Sequence, residues 1–226
     1  MEEISIYHSI LRSALALGWV QWLAFIFSLI YVFLAARESI WCWFFGLIGV
    51  LLAAKVYVDY RLYSEALLQI YYALISLYGW WAWINSRRPK SEVEDPLKSS
   101  ILDEGKWEEM APDLEDGLSI GVWTKEQHIR AFLLGTALGL VWGYFWSHFG
   151  AAMPYIDACI TSFSVIATYM VARKILENWL YWIAIDFVCI FVYLDRGMYL
   201  FAILFLVYCI VAVFGYFNWK REMMEG

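Results

Sequence analysis

The sequence predicts an all-α membrane protein with seven transmembrane helices, and two observations carry this prediction. Of the 226 residues, 63% are apolar and 20% aromatic, while a charged fraction of 17% is too small to cover a water-soluble domain of this length. The charges are also segregated, because residues 85–127 hold 11 of the 22 acidic residues. The apolar stretches therefore have a solvent of their own, which is the lipid bilayer.

Seven apolar runs approach the length of about 20 residues that a helix needs to cross the hydrocarbon core. Trp and Tyr crowd several of their ends, for example at Trp80 and Trp219, which is typical of membrane–water interfaces. The predicted spans lie near residues 19–36, 41–58, 63–84, 128–149, 154–172, 178–194 and 198–218.

The segments between and around these spans are short or hydrophilic. Residues 1–18 begin with acidic residues, unlike a signal peptide, and their apolar residues share one helical face, so we expect a helix on the membrane surface. Residues 85–127 form a hydrophilic cytoplasmic loop and 220–226 a cytoplasmic tail. The spans then group into a three-helix unit at 19–84, a linking helix at 128–149 and a second three-helix unit at 154–219.

Lysine and arginine are distributed unequally between the two sides that this topology defines. Twelve fall on the side of the C-terminus, whereas three, with Lys55 as a possible fourth, fall on the side of the N-terminus. The positive-inside rule therefore predicts an N-terminus outside the cell and a C-terminus in the cytoplasm.

The chain resembles itself at an offset of 136 residues. Residues 22–83 align with 158–219 without a gap, and 15 of the 62 pairs are identical. Shared apolar residues carry little weight in so biased a composition, so the rarer residue types decide. The identical pairs include Arg37 with Arg173, Trp43 with Trp179, Asp59 with Asp195 and Gly79 with Gly215. We therefore predict an internal repeat.

The linking helix determines how the two units are related. Three spans leave the chain on the far side and the fourth brings it back, so both units enter from the same side and the repeat is parallel. Parallel repeats occur in transporters, with the substrate between the repeats near the bilayer midplane. The linking helix carries Gly135, Gly139 and Gly143, a small-residue stripe that fits either internal packing or a contact between subunits.

Polar residues found at membrane depth in only one of the two units are candidates for a ligand site. Asn178, Trp182 and Asp186 are spaced by four residues and share a face of the sixth span. Their counterparts in the first unit are Cys42, Gly46 and Val50. An ionisable residue such as Asp186 is costly in a span unless it faces a cavity or a partner. Its structural alternatives are protonation or pairing with a hydroxyl.

The third span adds Gln69, whose counterpart in the repeat is Phe205, and Tyr72 at helical spacing from it. The combination of Trp, Asn, Gln and Asp predicts a cavity for a flat, polar, hydroxylated molecule.

Other function classes find less support in the sequence. Neither the four cysteines nor the three histidines have metal-ligand spacing, so we expect no metal, no cofactor and no enzymatic activity. A basic patch with interleaved aromatics, as in nucleic-acid binding, is also missing. A retinal protein requires a lysine within a span, and the last span has none. A seven-helix receptor, or a carrier of another small aromatic or sugar-like solute, is the alternative.

Three stretches resemble the PnuC family of bacterial vitamin B3 transporters. They are Gln69-Ile-Tyr-Tyr72 with Tyr78-Gly-Trp-Trp-Ala-Trp83, the run from Ala172 to Asp186, and Gly215-Tyr-Phe-Asn-Trp219. The resemblance includes the 3+1+3 layout and covers nearly the whole chain, apart from the N-terminal helix and the 85–127 loop.

This resemblance implies uptake of nicotinamide riboside across the bacterial inner membrane by facilitated diffusion, with retention by cytoplasmic phosphorylation. It also implies a fold similar to that of the sugar-carrying SWEET proteins and a homotrimer in the bilayer. The family's ligand site matches Gln69, Tyr72, Asn178, Trp179, Trp182 and Asp186 in this sequence.

Overall fold

The computed structural model describes residues 8, 10–12, 14–59, 63–85, 118–149 and 153–225, without the side chains of 63–67. Within these residues the regular structure consists of helices and a single β-bridge. The long helices are α1 (Trp19–Ala36), α2 (Trp41–Asp59), α3 (Tyr63–Asn85), α4 (Lys125–Ser147), α5 (Pro154–Ala172), α6 (Asn178–Asp195) and α7 (Tyr199–Glu225).

Six of these helices are long and apolar enough to cross a membrane, and α3 is the one that falls short. Its 23 residues would suffice in length. However, it carries seven Tyr and Trp residues, which a hydropathy scale counts as weakly polar. The described part of the chain is therefore an all-helical protein with six candidate membrane spans.

The helix bounds agree with the predicted spans to within a few residues at most ends, and two differences have a clear cause. Helix α4 begins at Lys125 instead of 128, because Thr124 and Gln127 form a capping box. The Thr124 hydroxyl accepts from the Gln127 backbone N–H at 3.3 Å, and the Gln127 side chain accepts from the Thr124 N–H at 2.8 Å. Helix α7 continues to Glu225, so the predicted tail is helical up to that residue.

Two predicted segments lie partly outside the described residues. Of the predicted surface helix at 1–18, residues 8, 10–12 and 14–16 are helical, whereas 1–7 are outside the described part. Residues 86–117 of the hydrophilic loop are also outside it.

The helices pack as two three-helix units with matching neighbours. Helix α2 packs against α1 and α3, and α6 packs against α5 and α7. The units meet where α1 contacts α7 and where α3 contacts α5. Helices α1 and α5 end at Ala36 and Ala172, 136 residues apart, and each is followed by a cap arginine and a residue at φ +53°. Those residues, Glu38 and Lys174, adopt a left-handed conformation that is uncommon for any residue other than glycine.

The glycine stripe of α4 serves internal packing against α5. Gly135, Gly139 and Gly143 are all buried. A Cβ atom on Gly139 would lie 3.0 Å from the Cα of Cys159, and one on Gly143 would lie 2.8 Å from the Cα of Tyr155. Because these neighbours are backbone atoms, they cannot move aside cheaply. The three glycines therefore let α4 and α5 approach closely, as small residues do in membrane helix pairs.

We predict that Gly139→Val destabilises the protein by about 1–3 kcal/mol, the usual cost of overpacking a close contact. The thermal unfolding midpoint in detergent measures this. Ala137→Val is the matched control, since Ala137 is exposed on the same helix. Equal midpoints for the two variants would show that the stripe is not a tight contact.

Candidate functional site

A cavity of about 420 Å³ lies inside the helix bundle. This volume falls in the range of roughly 300–1,000 Å³ that is typical of small-molecule sites. Most of its lining comes from α1, α2 and α3, with single residues of α5 and α6 and two of α7. The lining residues are Leu17, Gln21, Ala24, Phe25, Ser28, Tyr31, Gly46, Gly49, Val50, Ala53, Val56, Tyr57, Gln69, Tyr72, Ser76, Thr168, Trp182, Phe201 and Leu204.

The cavity extends from the middle of the bundle toward one of its two ends. Leu17 lies just before α1, and Phe201 lies in the first turn of α7. Tyr57 lies in the last turn of α2, which runs in the opposite direction. These three residues mark the same end of the bundle, which we call the cavity end. The other end, where α1, α3 and α5 finish, is the closed end.

Three of the six predicted site residues line this cavity: Gln69, Tyr72 and Trp182. Gln69 and Tyr72 are three residues apart on α3, and Trp182 faces them from α6. The structure therefore brings together residues of the third and sixth spans that are more than 100 positions apart in the sequence.

The other three predicted residues are buried but are not among the lining residues of the cavity. Asn178 is completely buried at the first position of α6, and its amide Nδ2 donates to the carbonyl of Ile175 at 2.6 Å. Its Oδ1 accepts no hydrogen bond from the described part of the chain. Trp179 is 1% exposed, and its ring lies 2.7 Å from where a Cβ on Gly215 would be, so it packs between helices.

Asp186 is 3% exposed, one helical turn beyond Trp182 on the same face of α6. It lies within electrostatic range of Tyr208 on α7. The Tyr208 hydroxyl is 2.5 Å from the Ser28 hydroxyl, which itself donates to the carbonyl of Phe25 at 2.8 Å. Because the single Ser28 proton is used there, Tyr208 is the donor to Ser28. Ser28 lines the cavity, so Tyr208 stands between the cavity wall and the neighbourhood of Asp186.

Two glycines of α2 that line the cavity are absent from the site predicted from the sequence. Gly46 and Gly49 lie one turn apart on α2, and a Cβ on Gly46 would come within 2.8 Å of the Tyr31 ring. Gly46 is the repeat counterpart of Trp182, so one unit supplies a large ring where the other supplies none. Because the prediction rested on polar residues found in only one unit, it did not include these glycines.

The closed end is filled by four fully buried tryptophans, which we call the Trp cluster: Trp43, Trp83, Trp179 and Trp219. The rings of Trp43 and Trp83 meet edge to face at 5.5 Å and 89°, and those of Trp179 and Trp219 repeat the same distance and angle. The two pairs join where Trp83 and Trp219 lie 5.9 Å apart. Aromatic pairs prefer this geometry, so the cluster is a well-packed seal.

An ion pair lies beside the Trp cluster. Lys174 pairs with Glu38, although its side chain is only 7% exposed, against 23% for Glu38. The Lys174 ammonium also lies 5.1 Å from the centre of the Trp83 ring, within reach of a cation–π interaction. Glu38 follows α1 and Lys174 follows α5, so the pair connects the two three-helix units at their closed end.

Residues 121–123 of the hydrophilic loop form hydrogen bonds with the turn between α5 and α6, which contains Lys174. Gly121 forms a parallel bridge with Ile175. The Gly121 N–H donates to the Lys174 carbonyl at 3.1 Å, and the Leu176 N–H donates to the Gly121 carbonyl at 2.8 Å. The Trp123 N–H donates to the Glu177 carboxylate at 3.2 Å. The loop therefore satisfies backbone groups between α5 and α6 that would otherwise be left unpaired.

The cavity wall is largely apolar, with aliphatic, glycine and aromatic positions, and it also offers amide and hydroxyl groups. Its described lining contains no lysine, arginine, aspartate or glutamate. Such a wall can stack a flat ring and exchange hydrogen bonds with amide and hydroxyl groups. It offers no cationic fork to a phosphate.

Comparison with known proteins gives consistent matches along the chain. Residues 18–221 match the family model described as nicotinamide mononucleotide transporter. The nicotinamide riboside transporter PnuC of Escherichia coli (strain K12) is 28% identical over 223 residues, which cover 92% of this chain and 88% of the relative. The protein of the same name from Neisseria mucosa is 22% identical over 213 residues, covering 90% and 73%.

A solved structure gives a likeness in fold. The crystal structure of the vitamin B3 transporter PnuC superposes with a TM-score of 0.64 at 18% identity, covering 99% of this chain and 92% of that chain. Together with the family model, which spans nearly the whole sequence, these matches establish that the chain belongs to the PnuC family, whose model is described as nicotinamide mononucleotide transporters.

Proposed function

We propose that this protein carries nicotinamide riboside across the bacterial inner membrane. The observation that carries the proposal is a cavity of about 420 Å³ whose largely apolar described wall offers aromatic rings, amides and hydroxyls but no ionic group. The relatives named above are nicotinamide riboside transporters. The riboside has a flat cationic pyridinium ring, a carboxamide and a ribose, so each part of it has a suitable partner in this wall.

In the proposed complex, Trp182 stacks on the pyridinium ring. Such a contact contributes on the order of 1–2 kcal/mol when it is desolvated. Gln69 and Tyr72 bond the carboxamide or the ribose from α3. Asp186 acts at longer range, since its carboxylate would offset the charge of the ring. Asn178 stays a predicted contact, supported by its unpartnered Oδ1, whereas the packing of Trp179 between helices favours a supporting role.

The same wall supports transport of the riboside rather than of its 5′-phosphate. A phosphate needs charge-assisted donors, of which Arg is the best suited. Lys174, the nearest buried cation of the second unit, is at the closed end and paired with Glu38. We therefore propose that the mononucleotide is rejected, and that cytoplasmic phosphorylation retains the imported riboside. Facilitated diffusion is the transport mode that the family resemblance implies, and we include it in the proposal.

The proposed architecture has seven spans, with α3 as the seventh, in a parallel SWEET-like repeat. Matching helix ends, matching cap arginines and two identical Trp–Trp geometries support the repeat. With the N-terminus outside, as the charge distribution predicts, the cavity end faces the exterior and the closed end the cytoplasm. We also propose that the functional assembly is the homotrimer that the family resemblance implies.

Transport then requires the closed end to open, and we propose that it does so by rocking of one three-helix unit against the other. The two units contact each other through the Trp cluster and through the Glu38–Lys174 pair. If the two units separate at the closed end and approach each other at the cavity end, the cavity opens to the opposite side of the membrane. Other repeat-based carriers work in this way.

The first test is riboside counterflow in liposomes. We predict that Trp182→Ala weakens the apparent affinity roughly tenfold, because the stacking partner is lost. Trp142→Ala is the matched control, since Trp142 is half-exposed on the linking helix, away from the cavity. Unchanged transport by Trp182→Ala would show that the substrate does not bind at the proposed site.

The second test compares substrates. Proteoliposomes loaded with unlabelled riboside should exchange labelled riboside but not labelled nicotinamide mononucleotide, because the cavity wall has no partner for the phosphate. Equal exchange of the two would contradict the proposed selectivity. The riboside exchange should also be the same with and without a pH gradient.

The third test addresses the closed end. Glu38→Lys alone places two ammonium groups together and Lys174→Glu alone places two carboxylates together, so each should reduce counterflow at least tenfold. The double exchange should restore much of it, because the pair is re-formed with reversed polarity. The thermal unfolding midpoints of the variants distinguish a loss of transport from a loss of folding. If the double variant is no better than the singles, the ion pair is not what joins the two units.

A further inference from the structure

A second cavity, of about 440 Å³, lies on the outer surface of the bundle between α1 and α7. It is separate from the proposed transport site, with which it shares no lining residue. We call it the α1–α7 groove. Its lining residues are Phe33, Ala36, Arg37, Val211, Phe214, Phe217, Asn218 and Arg221.

The groove changes from apolar to cationic along the helix axis. On α7 the lining runs from Val211 through Phe214 and Phe217 to Arg221, a rise of about 15 Å. On α1 it runs from Phe33 to Arg37. Both arginines lie at the closed end, where these helices leave the apolar region. The groove therefore has an apolar lower part and two guanidinium groups at its upper rim.

The apolar part is open to the surroundings of the bundle. The side chains of Phe33, Phe214 and Phe217 are 47%, 68% and 64% exposed. Exposed rings on a membrane-spanning surface contact acyl chains. A hydrocarbon chain is thus the natural occupant of this part of the groove.

Asn218 links the two cationic positions of the rim. The Asn218 Nδ2 donates to the carbonyl of Ala36 at 3.2 Å, and its Oδ1 accepts from the Arg221 guanidinium at 2.8 Å. Asn218 therefore ties Arg221 to the end of α1, where Arg37 is. Glu222 is 3.9 Å from Arg221, at the limit of an ion pair and exposed.

The other unit shows how an arginine at this position is satisfied internally. Arg173, the counterpart of Arg37, donates to the hydroxyl of Tyr78 at 3.2 Å. The counterpart of Tyr78 is Phe214, which has no hydroxyl. Within the described residues, Arg37 makes a cation–π contact with Phe33 at 4.3 Å, and no described carboxylate pairs with it. Arg37 therefore lines the groove without the hydroxyl partner that Arg173 has.

From this geometry we infer that the α1–α7 groove binds an anionic phospholipid, with its phosphate between Arg37 and Arg221 and an acyl chain along the phenylalanines. Guanidinium groups bind phosphate oxygens bidentately. Basic pockets between membrane helices on the cytoplasmic side are suited to anionic headgroups. The bound lipid would hold α1 and α7 together, and these two helices form one of the contacts between the three-helix units.

Native mass spectrometry of the full-length protein in detergent, titrated with phosphatidylglycerol or phosphatidylcholine, tests this inference. We expect the first lipid to bind at least tenfold more tightly than the second, and Arg37→Gln/Arg221→Gln to remove that preference. Arg130→Gln/Lys220→Gln removes the same charge from exposed positions outside the groove and should keep the preference. Loss in both double variants would overturn the inference, because it would show a diffuse charge effect.

A second variant keeps both arginines and so avoids any charge effect on folding. Phe214→Tyr gives Arg37 the internal hydroxyl that Arg173 receives from Tyr78, and we expect it to weaken phosphatidylglycerol binding severalfold. Glycerol phosphate, without acyl chains, should not compete; full competition would mean a simple anion site. No preference for the anionic lipid in the wild type would mean that another part of the chain, or a second copy, covers the groove.

Discussion

The contact between a tryptophan and a glycine, made once in each three-helix unit, is the constraint on which the structure depends. A Cβ on Gly79 would lie 2.4 Å from the Trp43 ring, and one on Gly215 would lie 2.7 Å from the Trp179 ring. No side chain fits at either position, so each indole lies directly on the neighbouring helix. This close approach positions Trp83 and Trp219 to meet, which joins the two units.

The contacts at the closed end are the same in both units, whereas the cavity is asymmetric. Trp43 and Trp179 are identical in type and in geometry, so they fix the two units symmetrically and provide no space. The cavity is lined mainly by the first unit. Two of its lining residues, Gly46 and Trp182, are repeat counterparts that differ in size, and the Tyr31 ring packs against Gly46. The closed end is therefore symmetric between the two units, whereas the cavity is not.

Much of the fold could be predicted from the sequence, because apolar runs have sharp ends. Helix α5 matches its predicted span, since Pro154 begins it and Arg173 caps it. The start of α4 was missed although its Thr-x-x-Gln signature was readable at Thr124. The extent of α7 could not be read from hydropathy, because a charged helix continues beyond the membrane without an apolar signal.

The site was predicted less completely, and for a geometric reason. Spacing by four residues shows which side chains share a helical face, but it does not show how far along the helix a cavity extends. Asn178 and Trp182 do share a face of α6, yet Asn178 lies at the closed end and Trp182 at the cavity wall. The contribution of α2 was not predicted because Gly46 contributes by letting the Tyr31 ring pack against it, and a search for polar residues cannot find a glycine.

The Glu38–Lys174 pair is well suited to the opening of the closed end that the proposed rocking requires. Removing two charges from water costs nearly as much as their attraction returns, so a buried pair adds specificity more than stability. A carrier needs its two conformations within a few kcal/mol of each other, or one of them is never populated. If the Trp cluster alone sealed the closed end, opening would lose the free energy of its packing, and no other interaction would offset that loss. An ion pair that regains water on opening offsets part of that loss, and its charges still select the correct alignment when the end closes again.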